Sequence, residues 1–370
     1  MPLRIGINAL YLIPGGVGGT EIYLRSLLQA LAVIDQSNEY FVLTNRETEA
    51  QLVPNQTNFH QVPQKVNATF RPYRLVWEQA VLPREIRQYK LNVLFNPGFT
   101  APFFASCPNV TVFHDLQHKR HPEHFRRLDL PFWQFFLYWS ARRSKMLIAV
   151  SEATRTDLLK YYRLPETKIR VVPHGVDEAF FEVGRRRSAG NLRPFLLCVS
   201  TLHPHKNLDR LVRAFGRIHG ERPEFRLVLA GMHGFHTTQI EQTITDCGMR
   251  EHVEITGWLP RNELLHLFET AWAFVYPSTF EGFGMPVLEA LAAGLPSAVS
   301  SIEPIKGIAG SAALLFDPFR EEEMSEALLR LIRDEELRHR LSTAGPLRAG
   351  NFSWRMAAGQ TLRVIEAAAK

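Results

Sequence analysis

Cysteine is scarce in these 370 residues, and its three copies, Cys107, Cys198 and Cys247, stand far apart with no Cys-x-x-Cys pair. An odd total at such spacings argues against a disulfide framework and against a thiolate zinc site, and it fits a reducing cytosol. No apolar run approaches the roughly 18 residues needed to cross a bilayer. The opening MPLRIGINALYLIPGG lacks the basic leader, apolar stretch and small-residue cleavage site of an export signal. The expectation is a cytoplasmic protein that neither spans a membrane nor is exported. Low-complexity tracts and short-period repeats are also missing. With 45% hydrophobic and 22% charged residues the composition is that of ordinary globular proteins, which sets aside disordered and fibrous classes.

The length suits two domains of about 180 residues each. Short runs rich in Val, Ile, Leu and Phe recur at Arg4–Asn8, Tyr40–Thr44, Asn92–Asn96, Val110–His114, Met146–Val150 and Ile169–Val172. They are apolar on both faces, as buried parallel strands are. Between them lie helical patterns. Leu24, Leu27, Leu28 and Leu31 fall at i, i+3, i+4 and i+7 behind Thr20, a plausible cap. Strands alternating with helices predict a doubly wound α/β sheet. From Glu178 to Pro194 the chain turns polar and basic and reads as a linker. A second series follows at Phe195–Ser200, Arg226–Ala230, Val253–Thr256, Trp272–Tyr276, Ser297–Val299 and Ala313–Phe316. The expected domains are 1–182 and 183–351, both Rossmann-like, with a terminal helix over 352–370. Such sheets bind ligands beyond the carboxyl ends of their strands, so two of them facing each other would make an interdomain cleft.

The net charge of +6 is concentrated. His118 to Lys145 holds seven basic residues against two acidic ones, interleaved with LPFWQFFLYW. This stretch is either a core helix or a face that meets an anionic membrane. Nothing resembles a nucleic-acid-binding module.

The sharpest signal runs Glu281-Gly282-Phe283-Gly284-Met285-Pro286-Val287-Leu288-Glu289, just after the strand ending at Tyr276. Pro286 suits a first helical position and Gly294 an exit, which predicts a short helix over Pro286–Ala293. Free amides at its start, with two glycines to let a ligand approach, suit a diphosphate. Glu289, one turn in, tilts back toward that end and can accept hydrogen bonds from vicinal hydroxyls such as those of a ribose. Glu281 faces the other end of the ligand. The bland alternatives are a surface loop charge for Glu281 and a solvated helix residue for Glu289.

A second segment, Val199-Ser200-Thr201-Leu202-His203-Pro204-His205-Lys206-Asn207-Leu208, follows the first strand of the second domain, with Asn207 as expected cap of the next helix. Lys206 is thereby presented at the same sheet edge, either as a surface lysine or as the charge that neutralises a departing diphosphate. A glycine loop, Pro14-Gly15-Gly16-Val17-Gly18-Gly19-Thr20-Glu21, follows the first strand. It is neither Gly-x-Gly-x-x-Gly nor a P-loop, so nicotinamide and ATP readings are weak. His114-Asp115 ends another strand, where a lone histidine is more often structural than functional.

The Glu-x7-Glu pair in TyrProSerThrPheGluGlyPheGly context resembles family 4 of the GT-B retaining glycosyltransferases, and the resemblance extends over nearly the whole chain. It implies two Rossmann-like domains facing across a cleft, with the terminal helix, from Phe352-Ser353-Trp354, crossing back to the first. It implies that Glu289 binds the nucleotide ribose, that Glu281 contacts the donor sugar, and that the backbone of Phe283, Gly284, Met285, Pro286, Val287 and Leu288 contacts sugar and phosphate. Gly18 and Gly19 would abut the donor phosphate, and His114 would be a polar contact to the reacting sugar rather than a general base. Ser151-Glu152 and Pro173-His174-Gly175-Val176-Asp177 also match. Relatives commonly place arginines where this sequence has His205 and Thr201. Neutralisation would then rest on Lys206, backbone amides and a protonated His205, so that activity would fall at high pH.

No Asp-x-Asp occurs, so no protein-bound metal and no cofactor are expected. No second carboxylate suggests a double-displacement scheme. The implied reaction is front-face transfer of a hexose, with mannose from GDP-mannose the first guess, to a saccharide or lipid-linked saccharide acceptor in cell-surface polysaccharide or lipopolysaccharide assembly. The alternatives are a GT-B sugar-nucleotide epimerase and a non-catalytic nucleotide-sugar-binding protein.

Overall fold

The computed structural model describes residues 2–15, 18–48 and 50–370. Contacts divide the chain into two compact units, Met1–Gly175 with Ser353–Lys370, and Val176–Phe352.

The first unit is built on seven strands: β1 (Arg4–Asn8), β2 (Glu39–Thr44), β3 (Phe59–Pro63), β4 (Val93–Asn96), β5 (Asn109–Phe113), β6 (Met146–Ala149) and β7 (Ile169–Val171). They form one sheet in the order β3-β2-β1-β4-β5-β6-β7, with every pairing parallel. All residues of β4 and β5 are buried, as strands covered on both faces must be. The chain winds outward from β1 to β3, returns beside β1 as β4, and winds out the other way. The carboxyl ends of β1 and β4 therefore flank the point where the winding reverses. The edge strand β3 has no counterpart in the sequence reading. Of its residues FHQVP only Phe59 and Val62 are buried, so it carries no continuous apolar run.

The helix Gly19–Ile34 buries Leu24, Leu27, Leu28 and Leu31, the stripe its periodicity predicts. Its N-cap is Gly18, at φ 56°, a left-handed value that glycine adopts without strain, and no side chain caps it. Thr20 thus sits inside the first turn rather than capping it. The last helix, Trp354–Ala369, packs along Gly19–Ile34 and is capped by Ser353, whose hydroxyl accepts from the Met356 amide at 3.1 Å. A Cβ on Gly175 would lie 2.1 Å from the Trp354 nitrogen, so only glycine permits this approach.

The basic aromatic stretch proves two-sided. Its main helix, Asp129–Arg143, buries Leu137 and Ala141 with Leu116, Leu147 and Leu158. Outward it leaves Phe132 and Phe135 exposed, beside an almost fully exposed Leu128.

The second unit has six strands: β8 (Arg193–Val199), β9 (Arg226–Ala230), β10 (Val253–Gly257), β11 (Ala271–Tyr276), β12 (Ser297–Ser300) and β13 (Leu314–Phe316). They run parallel in the order β10-β9-β8-β11-β12-β13. Here the winding reverses between β8 and β11. Both units are thus Rossmann-like α/β layers.

The segment 178–194, expected to be a linker, is largely structured and belongs to the second unit. Glu178–Arg186 is a helix capped by Asp177, which accepts from the Ala179 amide at 2.9 Å. Phe180 and Val183, three apart, form its buried face, and Phe180 meets Phe268 edge-on at 5.1 Å. Arg187 then donates to the carbonyls of Phe268, Glu269 and Ala271. Of the arginines that suggested a linker, Arg185 and Arg186 lie on the outer face of this helix, and the unit boundary falls at Gly175–Val176.

Candidate functional site

The loops after β8 and β11 flank the reversal point of the second sheet, and they carry Lys206 and Glu281. The Lys206 Nζ donates to Glu281 Oε1 at 2.5 Å and to the Tyr276 hydroxyl at 3.0 Å. The Tyr276 hydroxyl donates in turn to Glu281 Oε1 at 2.8 Å. Two donors thus converge on one carboxylate oxygen, with the lysine and glutamate side chains only 13% and 11% exposed. Burial, then the Glu281 charge, holds the Tyr276 phenol well above its ordinary range, so it stays a neutral donor.

Local hydrogen bonds clamp the two loops together. The His205 carbonyl accepts from the Thr279 amide at 2.8 Å and from the Ser278 hydroxyl at 3.0 Å. Asn207, expected as a helix cap, makes no capping bond. At φ 58° its side chain instead donates to the carbonyls of Pro277 and Pro318, at 3.1 and 2.7 Å. Its amide serves as a rivet between loops, because two carbonyls there need a donor. The His205 ring stands edge-on to Phe280 at 6.3 Å, and Thr201, in the position of the other expected basic group, is half-buried.

The helix after Glu281 spans Met285–Ala292, with Gly284 as N-cap at φ 111° and Pro286 in its first turn. Gly294, at φ 60°, follows its end. Val287 and Leu288 bury their side chains in the core, and their amides donate to the Gly284 carbonyl at 3.1 and 3.3 Å. Phe283 is also buried, while Met285 and Pro286 are half-buried. Glu289, 9% exposed, lies inside this otherwise apolar helix. Burial pushes its carboxyl up to about 7, with Arg261 opposing the shift and Asp177 adding to it. Arg261 and Asp177 pair with each other at 2.5 Å. Among the described residues no hydrogen bond or ion pair holds this carboxyl, whereas a ligand bearing hydroxyls would supply one.

In the first unit, Gly18 and Gly19 are exposed, and a Cβ added to either would meet nothing within 4 Å. The neighbouring Gly16 and Val17 lie outside the described residues. His114 is buried, and its Nε2 donates to the Pro97 carbonyl at 2.8 Å. Burial pushes its pKa down to about 4, so it is a neutral imidazole at physiological pH and a poor proton acceptor. Tyr23 lies edge-on to it at 4.9 Å and His174 at 5.5 Å. Ser151 caps the helix Glu152–Tyr162. Among the described residues one grouping could hold a metal ion, His121, Glu123 and His124, with ligand atoms within 4.8 Å of one another, and it contains none of the residues above.

The family profile described as Glycosyltransferase Family 4 matches residues 17–180, and that described as Glycosyl transferases group 1 matches 185–348. The chain belongs to glycosyltransferase family 4. Among relatives of this glycosyltransferase, the O-antigen chain mannosyltransferase B of Escherichia coli is 27% identical over 294 residues, covering 76% of each chain. The sucrose-phosphate synthase of Thermosynechococcus elongatus superposes with a TM-score of 0.79 over 99% of this chain and 100% of its own, at 18% identity. Anabaena HepE in complex with UDP-glucose gives 0.75 over 99% and 100%, at 17% identity. At these identities the superpositions speak to the fold, which is GT-B.

Sequence reasoning on the transferase brought Lys206 and Glu281 to one place but missed Tyr276. The available signal was a tyrosine closing a buried strand five residues before the first glutamate, where phenylalanine would serve packing equally well.

Proposed function

We propose that this glycosyltransferase moves a hexose from a nucleotide sugar to a saccharide or lipid-linked saccharide acceptor, with retention at the anomeric carbon and without a protein-bound metal. The reading is carried by the Lys206–Tyr276–Glu281 group, set beside a helix start that has Glu289 one turn in. Mannose from GDP-mannose is the first candidate donor, on similarity to an O-antigen chain mannosyltransferase. The UDP-glucose complex of HepE makes UDP-sugars the main competitor.

Glu289 would accept from the ribose hydroxyls. Lys206 would place its ammonium against the leaving diphosphate as the glycosidic bond breaks, with His205 and amides at the start of Met285–Ala292 adding to the field. Glu281 would hold the donor sugar's hydroxyls. Its Oε1 already accepts two hydrogen bonds, which suits a positioning group better than a nucleophile. The departing phosphate oxygen would then take the acceptor's proton on the same face of the sugar. The first unit would bind the acceptor, with Gly18, Gly19 and a neutral His114 as polar contacts to the donor.

An acceptor carried on an anionic membrane fits the first unit's surface. Leu128 is 91% exposed, Phe104 73% and Phe135 52%, and Arg126, Arg127, Arg142 and Arg143 are exposed in the same stretch. Among the described residues no helix is long and apolar enough to cross a membrane.

A thermal-shift panel of GDP-, UDP- and ADP-sugars, followed by anomer-resolved product analysis with the strongest binder, tests the reading. Stabilisation by one nucleotide class and an α-configured product from an α-linked donor are expected. No stabilisation by any class would sink it.

A further inference from the structure

The helix Arg71–Ala80 of the first unit buries two charged residues on one face, Arg74 at 4% and Glu78 at 1% exposure. Arginine and glutamate are almost never buried unless paired. Here they are not joined to each other in an ion pair. Glu78 Oε2 accepts from the Thr100 hydroxyl at 3.0 Å, while Glu78 Oε1 and Arg74 Nε are fully buried without a partner. Among the described residues nothing hydrogen-bonds or ion-pairs with the Arg74 guanidinium. Its terminal nitrogens, equally unpartnered, are not among the fully enclosed atoms, so they keep a sliver of accessible surface.

The position of the pair is informative. Thr100 belongs to the loop after β4, and Asn8, which ends β1, is close enough to Glu78 to act on its charge and donates to Asn96 at the end of β4. Tyr11, in the loop after β1, is close enough to Arg74 to act on its charge, and Arg71 adds a second positive field. Arg74 therefore stands at the carboxyl ends of β1 and β4, the reversal point of this sheet and the expected place for a ligand. A buried guanidinium with no carboxylate in contact is destabilising unless something compensates its charge. Packing alone would favour an apolar residue there. A planar fork of donors lacking an acceptor is matched by a phosphate or carboxylate.

We propose that Arg74 is the acceptor-recognition residue of the first unit, taking an anionic phosphate or carboxylate group of the acceptor, with Glu78 behind it as a positioning residue that tempers its charge. This deepens the transferase reading by naming the acceptor's chemistry. The neutral saccharide would present the attacking hydroxyl, and the anionic group would fix its register.

The test uses the full chain with its donor site filled by the nucleoside diphosphate that stabilises it best. Methyl phosphate and acetate are titrated as minimal anions by NMR line broadening, and Arg74→Gln, Arg74→Lys and Glu78→Gln are compared. Wild type should bind one of the two saturably. R74Q should lose at least tenfold in affinity with the nucleotide-induced thermal shift unchanged, and R74K should retain part of the binding. E78Q, by removing the competing charge, should tighten binding several-fold. A purely structural pair would not produce that gain. Should R74Q fold poorly, the sign of the E78Q effect decides. Absence of binding by both anions, or weaker binding in E78Q, overturns the proposal. Loss of nucleotide stabilisation in wild type would instead count against the transferase reading, because anion binding is read separately.

Discussion

Lys206 and Glu281 are paired at 2.5 Å across two loops that are 75 residues apart in sequence, and Tyr276 closes the group from below. Breaking a pair this sheltered strands the remaining charge, at a cost of about 3–5 kcal/mol. Lys206→Ala should therefore lower Tm and also cut kcat by roughly 10²–10³-fold, the scale of losing a preorganised charge. The double variant Lys206→Ala/Glu281→Ala should regain much of the Tm and none of the rate. Recovery of activity in the double variant would place the pair outside the chemistry.

Tyr276→Phe removes one hydrogen bond to a charged group. A loss of about tenfold in kcat/KM is expected, on the scale of 1.5 kcal/mol or slightly more. An unchanged kcat/KM would reduce Tyr276 to packing.

Glu289 gives a pH dependence of definite sign. Its folded pKa of about 7 lies above the ordinary carboxyl value, so the folded state holds the proton more tightly than the unfolded chain. Its stability contribution is present at low pH and is lost as pH rises toward 7. The Tm of the ligand-free enzyme relative to Glu289→Gln should accordingly fall between pH 5 and 7 and level off above. Donor affinity should move the other way, tightening from pH 6 to 8 as the carboxylate forms, and Glu289→Gln should flatten that profile. Isothermal titration at several pH values reads this directly.

His114 has the opposite sense. Its pKa of about 4 lies below the unfolded value, so its contribution is present above about 6.5 and is lost as pH falls toward 4. Imidazole proton shifts should remain those of the neutral ring at pH 5.5. Acid-induced loss of Tm should be smaller in His114→Gln. A ring that titrates near 6.5 would return His114 to the list of candidate bases.

Most strands and both reactive loops were legible because buried parallel strands announce themselves as apolar runs and the loops between them hold the polar exceptions. What escaped was half-apolar or contextual. The edge strand Phe59–Pro63 buries only Phe59 and Val62, and the helix Glu178–Arg186 shows only Phe180 and Val183 behind a charged exterior. Asn207 has a residue type suited to capping, but the carbonyls of Pro277 and Pro318, far along the chain, claim its amide. Arg74 and Glu78 are residue types that ordinarily mark a helix surface, and only their burial sets them apart.

Vesicle association gives a further check. Leu128→Glu with Phe135→Glu should weaken sedimentation with phosphatidylglycerol-containing liposomes at least several-fold and leave neutral vesicles unaffected. Turnover of a soluble acceptor should not change. Equal binding by the variant would assign these exposed side chains another role.

The return of Ser353–Lys370 to the first unit sets an order on synthesis. The second unit is one continuous stretch and is complete once residue 352 has left the ribosome. The first must wait, with the groove along Gly19–Ile34 unfilled, until the last helix emerges. During translation the later-made half is thus the first that can finish folding, and a chain cut short by one helix leaves the Gly19–Ile34 face of the earlier half uncovered.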